Sequence, residues 1–470
     1  MRKPWLPRLD RPLRASALAA ACGSILPIGC APTRPDPGAD LAAAVAIGLS
    51  DAIVFRVEGM PIDEAPFAAD HLSEAGAIQR AAMTDPGLHA ALARVRIAMA
   101  DADQARLWPN PMLEFVLQWG SGKPQMEIAL AQDIIGMLQI PREASAADHR
   151  MRAAAADAVT VAIDLVAQVQ REYAQAQSLE AVMPILAQRS AVVDKSIETA
   201  EGRFEAREGT LGELAALRAQ RIELDIDAAE ARRRLDESRI RLARLIGEPS
   251  SRADWSLDAW SAPDASAAEE GRWIEAALQR RPEVQSALWT LRALGDDEAL
   301  VGFWPWDGAN AGVQADGVDD WVVGPAINTP VPIFDTGQAQ RARVTAEQIE
   351  ARHLLTQAQR DVVEDVRLAH RSLRASLANY DRVTKDWLPI QERRRTLAEE
   401  SYQTGRSDVS ALYQAEQELQ SAYARAVTIG LQVAFDRINL QRAAGGPGVA
   451  AAADPSPAAD GAAPIGDRAP

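Results

Sequence analysis

The sequence predicts a mainly α protein with a small β part: two long antiparallel coiled-coil hairpins and two β-hairpins, laid out as a duplicated unit. Three observations predict it. Val159, Ile163, Val166, Val169 and Tyr173 recur at three- and four-residue spacing, and Leu214, Leu217, Leu224, Ala228, Ala231, Leu235, Leu242 and Leu245 answer them on an ascending arm, with Arg221 and Ser238 as polar interruptions. The same pattern returns as Leu355, Ala358, Val362, Val366, Ala369, Leu373, Leu377 and Tyr380 against Leu412, Ala415, Leu419, Ala422, Ala426, Ile429, Val433 and Leu440. The copies keep a nearly constant offset: Trp108-Pro109 matches Trp304-Pro305, Asp85-Pro86 matches Arg281-Pro282, Phe204 matches Tyr402, Leu211 matches Val409 and Leu214 matches Leu412. Finally, a short stretch ahead of each hairpin alternates with period two.

The first residues form a targeting segment. Arg2, Lys3, Arg8, Arg11 and Arg14 precede an apolar run from Ala15 to Gly29, so 1–30 reads as a signal peptide with a lipobox. Cys30, followed by a Pro-rich tether, is the expected lipid (palmitate) attachment site. Pro27 stands where a lipobox carries Leu, and Cys22 after Ala20-Ala21 is the alternative. Residues 31–71 read as an extended segment rich in Pro, Ala and Asp.

The first repeat spans 72–247. It opens with short helices from about Leu72 to Met83 and from Pro86 to Trp108, the second capped at Asp85 with proline in its first turn. The β-hairpin 110–135 follows. Leu113, Phe115, Leu117 and Trp119 share one face of its first strand, and Met126, Ile128, Leu130 and Ile134 share one face of the return. The coiled-coil hairpin 143–247 has a descending arm of about 60 residues, roughly 90 Å of helix. A Pro/Ser/Ala/Asp linker covers 248–268. The second repeat, 269–444, carries a β-hairpin over 306–333 and a coiled-coil hairpin over 338–442. Residues 445–470 read as a disordered tail.

The hairpins reverse at Arg207-Glu208-Gly209 and at Gly405-Arg406-Ser407-Asp408. Gly405 supplies a flexible point, and in the first copy Gly209 is expected to do so. Net charge is −16, which speaks against a nucleic-acid partner. His71, His89, His149, His353 and His370 have no metal-ligand spacing, and no phosphate loop or nucleophile motif is present, so neither an enzyme nor a cofactor or metal site is expected. Four strands cannot close a barrel and open edges are not tolerated in lipid. A chain sent to the envelope must therefore pool strands, and a homotrimer with twelve strands does so.

These features resemble the TolC-like outer membrane efflux proteins, lipoprotein exit ducts of tripartite pumps. The carriers are Tyr402-Gln403-Thr404-Gly405-Arg406-Ser407-Asp408-Val409-Ser410-Ala411-Leu412 with its copy Phe204 to Leu214, and Pro86-Gly87-Leu88 with Pro282-Glu283-Val284. Trp108-Pro109-Asn110-Pro111 is similar to the CzcC-like heavy-metal subgroup. The resemblance covers about Leu72 to Arg442. It implies a trimeric α-barrel in the periplasm joined to a 12-stranded β-barrel in the outer membrane of a Gram-negative cell. The tips Arg207, Glu208, Gly209, Gly405, Arg406, Ser407 and Asp408 would meet a periplasmic adaptor coupled to an inner-membrane pump of the RND type. Solutes such as metal ions or drugs would pass without chemistry. The family's Asp rings match Ala411 and Gln414 here, so a gate would fall to Glu213 or Asp408; the plainer reading is that these are ordinary solvated helix acids. A type I secretion duct for polypeptides shares the fold, and a periplasmic coiled-coil scaffold is the alternative of another class.

Overall fold

The computed structural model describes residues 70–120, 124–250, 253–262, 269–317 and 321–447, and Val45 apart from them. Both cysteines, the signal segment, nearly all of the 31–71 stretch and most of the 445–470 tail lie outside the described residues.

The chain enters as a two-residue strand, β1 (His71–Leu72), and two helices, α1 (Glu74–Thr84) and α2 (Pro86–Gln104). Ser73 and Asp85 cap them by accepting from the backbone N–H groups of Gly76 and Leu88. Helix α2 stops short of Trp108, because Arg106 turns back to donate to Ala102 O at 2.6 Å and to Asp148. Strands β2 (Met112–Gln118) and β3 (Gln125–Asp133) form the first β-hairpin. Ile134, expected on the strand face, is instead the first residue of helix α3 (Ile134–Glu205): the Asp133 side chain accepts from Gly136 N at 2.8 Å and starts the helix directly on the strand end. With 72 residues, α3 is about 110 Å long. The ascending helix α4 (Leu211–Leu245) packs along it.

The stretch read as a linker has structure in its described part. Strand β4 (Ser256–Leu257) pairs in parallel with β1, and Trp255 is buried with Leu72, Leu88, Leu92, Ile163, Val166, Leu242 and Ile246. Tyr173 clamps the junction, its hydroxyl donating to Leu72 O and to Asp258 Oδ2 at 2.9 Å each.

The second repeat follows the same order: α5 (Glu270–Arg280), α6 (Pro282–Val301), a 3₁₀ turn at Trp304–Trp306, β5 (Asn310–Gly317) and β6 (Val322–Asn328). Strand β6 runs through Pro325, which an edge strand accepts because the missing N–H faces no partner. Helix α7 (Gln338–Asp381) passes through a π turn (Arg382–Trp387) into α8 (Leu388–Gln403), and α9 (Val409–Ala444) ascends. Pro389, in the first turn after the π segment, lacks the N–H that an unbroken α register would use. Helix α6 sits between α3 and α7, while α9 lies against both α3 and α7. The second core gathers Trp273, Val284, Val362, Val366, Leu373, Val433 and Leu440.

The predicted seams are the packed ones. Leu214, Leu224, Ala231, Leu242 and Leu245 are buried on α4, and Val362, Val366 and Leu373 on α7. Of the polar interruptions, Ser238 is buried and donates to Glu172 O at 2.8 Å, whereas Arg221 reaches sideways to Asp194 and Asp225.

Candidate functional site

Two places carry the features from which function can be argued: the sheet at one end of the helices and the two helical tips at the other.

The four strands form one antiparallel sheet in the order β2-β3-β5-β6. Its register divides the residues into rows. Leu113, Leu130, Val313 and Pro325 are paired across the sheet, as are Phe115, Ile128, Ala315 and Val323. The intervening rows are Glu114, Ala129, Gln314 and Gly324, and Val116, Glu127, Asp316 and Val322. Since side chains alternate, the first set lies on one face and the second on the other. One face is therefore apolar and the other carries Glu114, Glu127, Gln314 and Asp316, with Gln314 Nε2 donating to Glu127 Oε1 at 2.7 Å. Met112, Leu113, Phe115, Leu130, Val313, Val323 and Ile327 are exposed. Strands β2 and β6 each have an open edge. Gly312 is required inside the sheet: a Cβ there would stand 1.9 Å from Leu130 O.

Exposed aromatic residues mark both ends of the strands. Trp119 and Trp321 stand at the turn end, and Trp108, Trp304, Trp306 and Phe334 at the helix end. The nine residues of β3, at ~3.3 Å rise and ~40° tilt, span about 23 Å, close to the apolar band of a membrane barrel.

At the other end, the tips close with the same pair of backbone hydrogen bonds. Arg207 N–H donates to Phe204 O and Glu208 N–H to Arg203 O; Gly405 N–H donates to Tyr402 O and Arg406 N–H to Ser401 O. Both are Schellman closures with a left-handed residue, at φ 61° for Arg207 and 70° for Gly405. Gly209, expected as the flexible point of the first tip, is not the left-handed residue; Arg207 takes that conformation itself and carries the Cβ strain. Thr210 then caps α4 by accepting from Glu213 N–H at 3.2 Å, while Asp408 opens α9 and accepts from the Ser410 hydroxyl.

The two acids singled out in the sequence meet one cation. Arg203 Nη1 lies 3.2 Å from Asp408 Oδ2 and 3.5 Å from Glu213 Oε1, so the first tip is tied to the second. Beside this tie, Gln220 donates to Gln417 at 2.9 Å, and Ser196, Thr199, Leu217, Tyr413 and Gln414 line a cleft of about 280 Å³. Arg203 carries no local mark of this role: it lies on the descending arm, across the turn from Glu213 and in the other repeat from Asp408. The duplication gives no hint of it either, since Ser401 stands at the matching place.

Among the described residues no three His, Cys, Asp or Glu groups gather into a metal site. His71 bonds Ser256 and Asp258, and His149 stacks on Trp289 at 5.4 Å. Nearby Asp296 is buried; burial opposes its charge, but hydrogen bonds from Ser145 and Arg142, with the charges of His149 and Arg142, outweigh that and lower its pKa.

A sequence model of the family described as "Outer membrane efflux protein" matches residues 304–446. The chain carries an outer membrane efflux protein domain. Its fold is shared by solved outer membrane channels of low sequence identity. The outer membrane protein VceC from Vibrio cholerae superposes with a TM-score of 0.64 at 18% identity, covering 79% of this chain and 96% of VceC. CusC, solved in a study of folding and transmembrane channel formation, gives 0.64 at 16% identity, with 84% and 99% covered. The open-state MtrE outer membrane channel of Neisseria gonorrhoeae gives 0.63 at 16%, with 85% and 98% covered. No curated protein matches the chain in sequence. The fold of these solved channels thus runs through both repeats, whereas the family model matches within the second, and the heavy-metal subgroup is not singled out by these matches.

Proposed function

We propose that the chain is the outer membrane channel of a tripartite efflux system, a passive exit duct for metal ions or drugs from the periplasm to the exterior. The observation that carries this reading is the sheet: one apolar face, one polar face, aromatic residues at both ends and two unpaired edges. In lipid such edges must be paired, and three copies joined edge to edge make a closed twelve-stranded barrel with the apolar rows outward. The outer membrane efflux domain and the fold shared with solved outer membrane channels support the same reading.

The helical hairpins then extend about 100 Å into the periplasm. The tips at Arg207–Gly209 and Gly405–Asp408 are the docking surface for a periplasmic adaptor, which links the channel to an inner-membrane pump of the RND type. Arg203, bridging Glu213 and Asp408, is a tie that keeps the tip closed. Cargo is chosen by the pump. A lipid anchor at Cys30 holds the chain to the outer membrane while most of its mass lies in the periplasm; Cys30→Ala should abolish fatty-acid labelling, and labelling lost only in Cys22→Ala would move the anchor.

The test is carbonate extraction of a variant without its lipid anchor, together with native mass measurement in detergent. An integral trimer is expected. A stable monomer with an intact sheet, or full extraction by carbonate, contradicts the reading.

A further inference from the structure

The internal duplication allows a contact within one chain to be read as the template for a contact between two chains. The copies align closely. The ascending helices match 198 positions apart, with Leu242 and Leu440 buried and Gly247 and Gly445 both left-handed closures. The descending helices match 197 apart over Val169 and Val366, Tyr173 and His370, and Ala176 and Leu373, all buried. The π turn at Arg382–Trp387 takes up the one-residue difference before the tip.

Within the chain, α9 lies along α3. Arg442 Nε donates to Asp164 Oδ1 at 2.5 Å, Arg171 donates to Asn439, and Ile438 and Gln420 are each 7% exposed. Each of these residues has a copy in the other repeat. Arg442 becomes Arg244 and Asp164 becomes Asp361; the charges are kept. Neither Arg244 nor Asp361 forms an ion pair with another described residue. Ile438 becomes Ile240 and Gln420 becomes Ile222, each 61% exposed. Arg171 becomes Leu368, 59% exposed. Helix α4 packs extensively only on α3, so its outer face is uncovered. The matching flank of α7 is likewise uncovered and forms, with Leu278, a groove of about 720 Å³ whose lining includes Val363, Glu364, Leu368 and the arginines Arg360, Arg367 and Arg371.

We propose that the outer face of α4, with Ile222 and Ile240, docks into the α7 groove of a second copy in the register that α9 takes on α3, and that Arg244 pairs with Asp361 of that copy. Arg244 and Asp361 are opposite in charge, Ile222, Ile240 and Leu368 are apolar, and the occupant is set by the duplication. Helix α9 fills this place on α3, and α4 is its only copy left to fill the place on α7. Ile240 and Ile222 gain the burial their counterparts have, and Leu368 is covered by the stem of Arg241. The proposal rests on the oligomeric channel reading above and adds its register.

Charge exchange in the full chain tests it. Arg244→Asp and Asp361→Arg should each weaken assembly, by roughly tenfold in the concentration at which the oligomer dissociates, since every interface in the ring is hit and like charges then face each other. The double variant Arg244→Asp with Asp361→Arg should recover assembly. As a second measurement independent of variant stability, Arg244→Cys with Asp361→Cys should give an oligomer ladder with a short bismaleimide, absent from either single variant. An oligomeric wild type whose double variant is no better than the worse single, with no ladder from the cysteine pair, overturns the register and leaves the channel reading standing. A monomeric wild type overturns both.

Discussion

Arg207 and Gly405 occupy the same place in the two hairpin tips, each left-handed and each closing its helix with the same pair of backbone hydrogen bonds. Glycine does this without strain, whereas an arginine in that conformation costs about 1 kcal/mol. Arg207→Gly should therefore slow hydrogen exchange across the first tip and raise stability by about that amount, less what the unfolded chain gains in entropy. Gly405→Val should cost about 1–2 kcal/mol at the second tip, where a β-branched side chain meets the same strain. A pull-down with the cognate adaptor should weaken more than the trimer does, because the seams are untouched. Unchanged adaptor binding and unchanged efflux would remove the tips from the docking surface.

Arg203 holds Glu213 and Asp408 from one guanidinium, at distances typical of a loose surface bridge. All three side chains are at least a third exposed, so the tie is worth under about 1 kcal/mol and its loss should leave the fold intact. Arg203→Ala should instead raise ion conductance of the reconstituted protein several-fold, more so at low salt, where the tie is least screened. Conductance unchanged at every salt concentration would mean that the three residues are ordinary solvated charges.

The rows of the sheet predict opposite outcomes for neighbouring positions. Phe115 lies in an apolar row and Gln314 in a polar one. Phe115→Arg places a charge against lipid, at about 2–4 kcal/mol near the bilayer centre, and should deplete the protein from the outer-membrane fraction. Gln314→Arg should insert normally. Equal insertion of both variants would show that the two faces are not lipid and water.

Asp296 offers a pH test away from the membrane. Its pKa lies below the ordinary 3.8 because of Ser145, Arg142 and His149. A carboxylate depressed in the folded state contributes stability above its unfolded pKa and loses it as pH falls through the folded one. The wild type should thus lose this stability as pH falls from the ordinary 3.8 through the lower folded value. Asp296→Asn should be less stable at neutral pH by roughly 1–3 kcal/mol and lose less on acidification. Parallel melting curves for the two proteins across that range would refute the assignment.

What could be read from the sequence follows from how local the signals are. The heptad seams and the strand alternation are written at spacings of two to four residues, and Leu214, Leu242, Val362 and Val366 are buried as that spacing requires. Arg207 kept no local mark of its left-handed turn, since the residue type argues against it and only its Gly405 counterpart points there. The β1–β4 bridge was hidden because it joins His71 to Ser256, 185 positions away, through two residues on each side. Trp255 stands in a Pro/Ser-rich stretch without periodicity, yet it is buried, since a large apolar ring there needs a core to enter. The Arg203 tie depends on two tips meeting in space, which no single hairpin encodes.

The central claim, that the sheet and helices enclose a path across the outer membrane, is tested most directly by conductance. The purified full chain, added to a planar lipid bilayer, should produce discrete and uniform current steps that become larger in Arg203→Ala. A protein that assembles as a trimer and inserts into the bilayer yet passes no current in either form would contradict it.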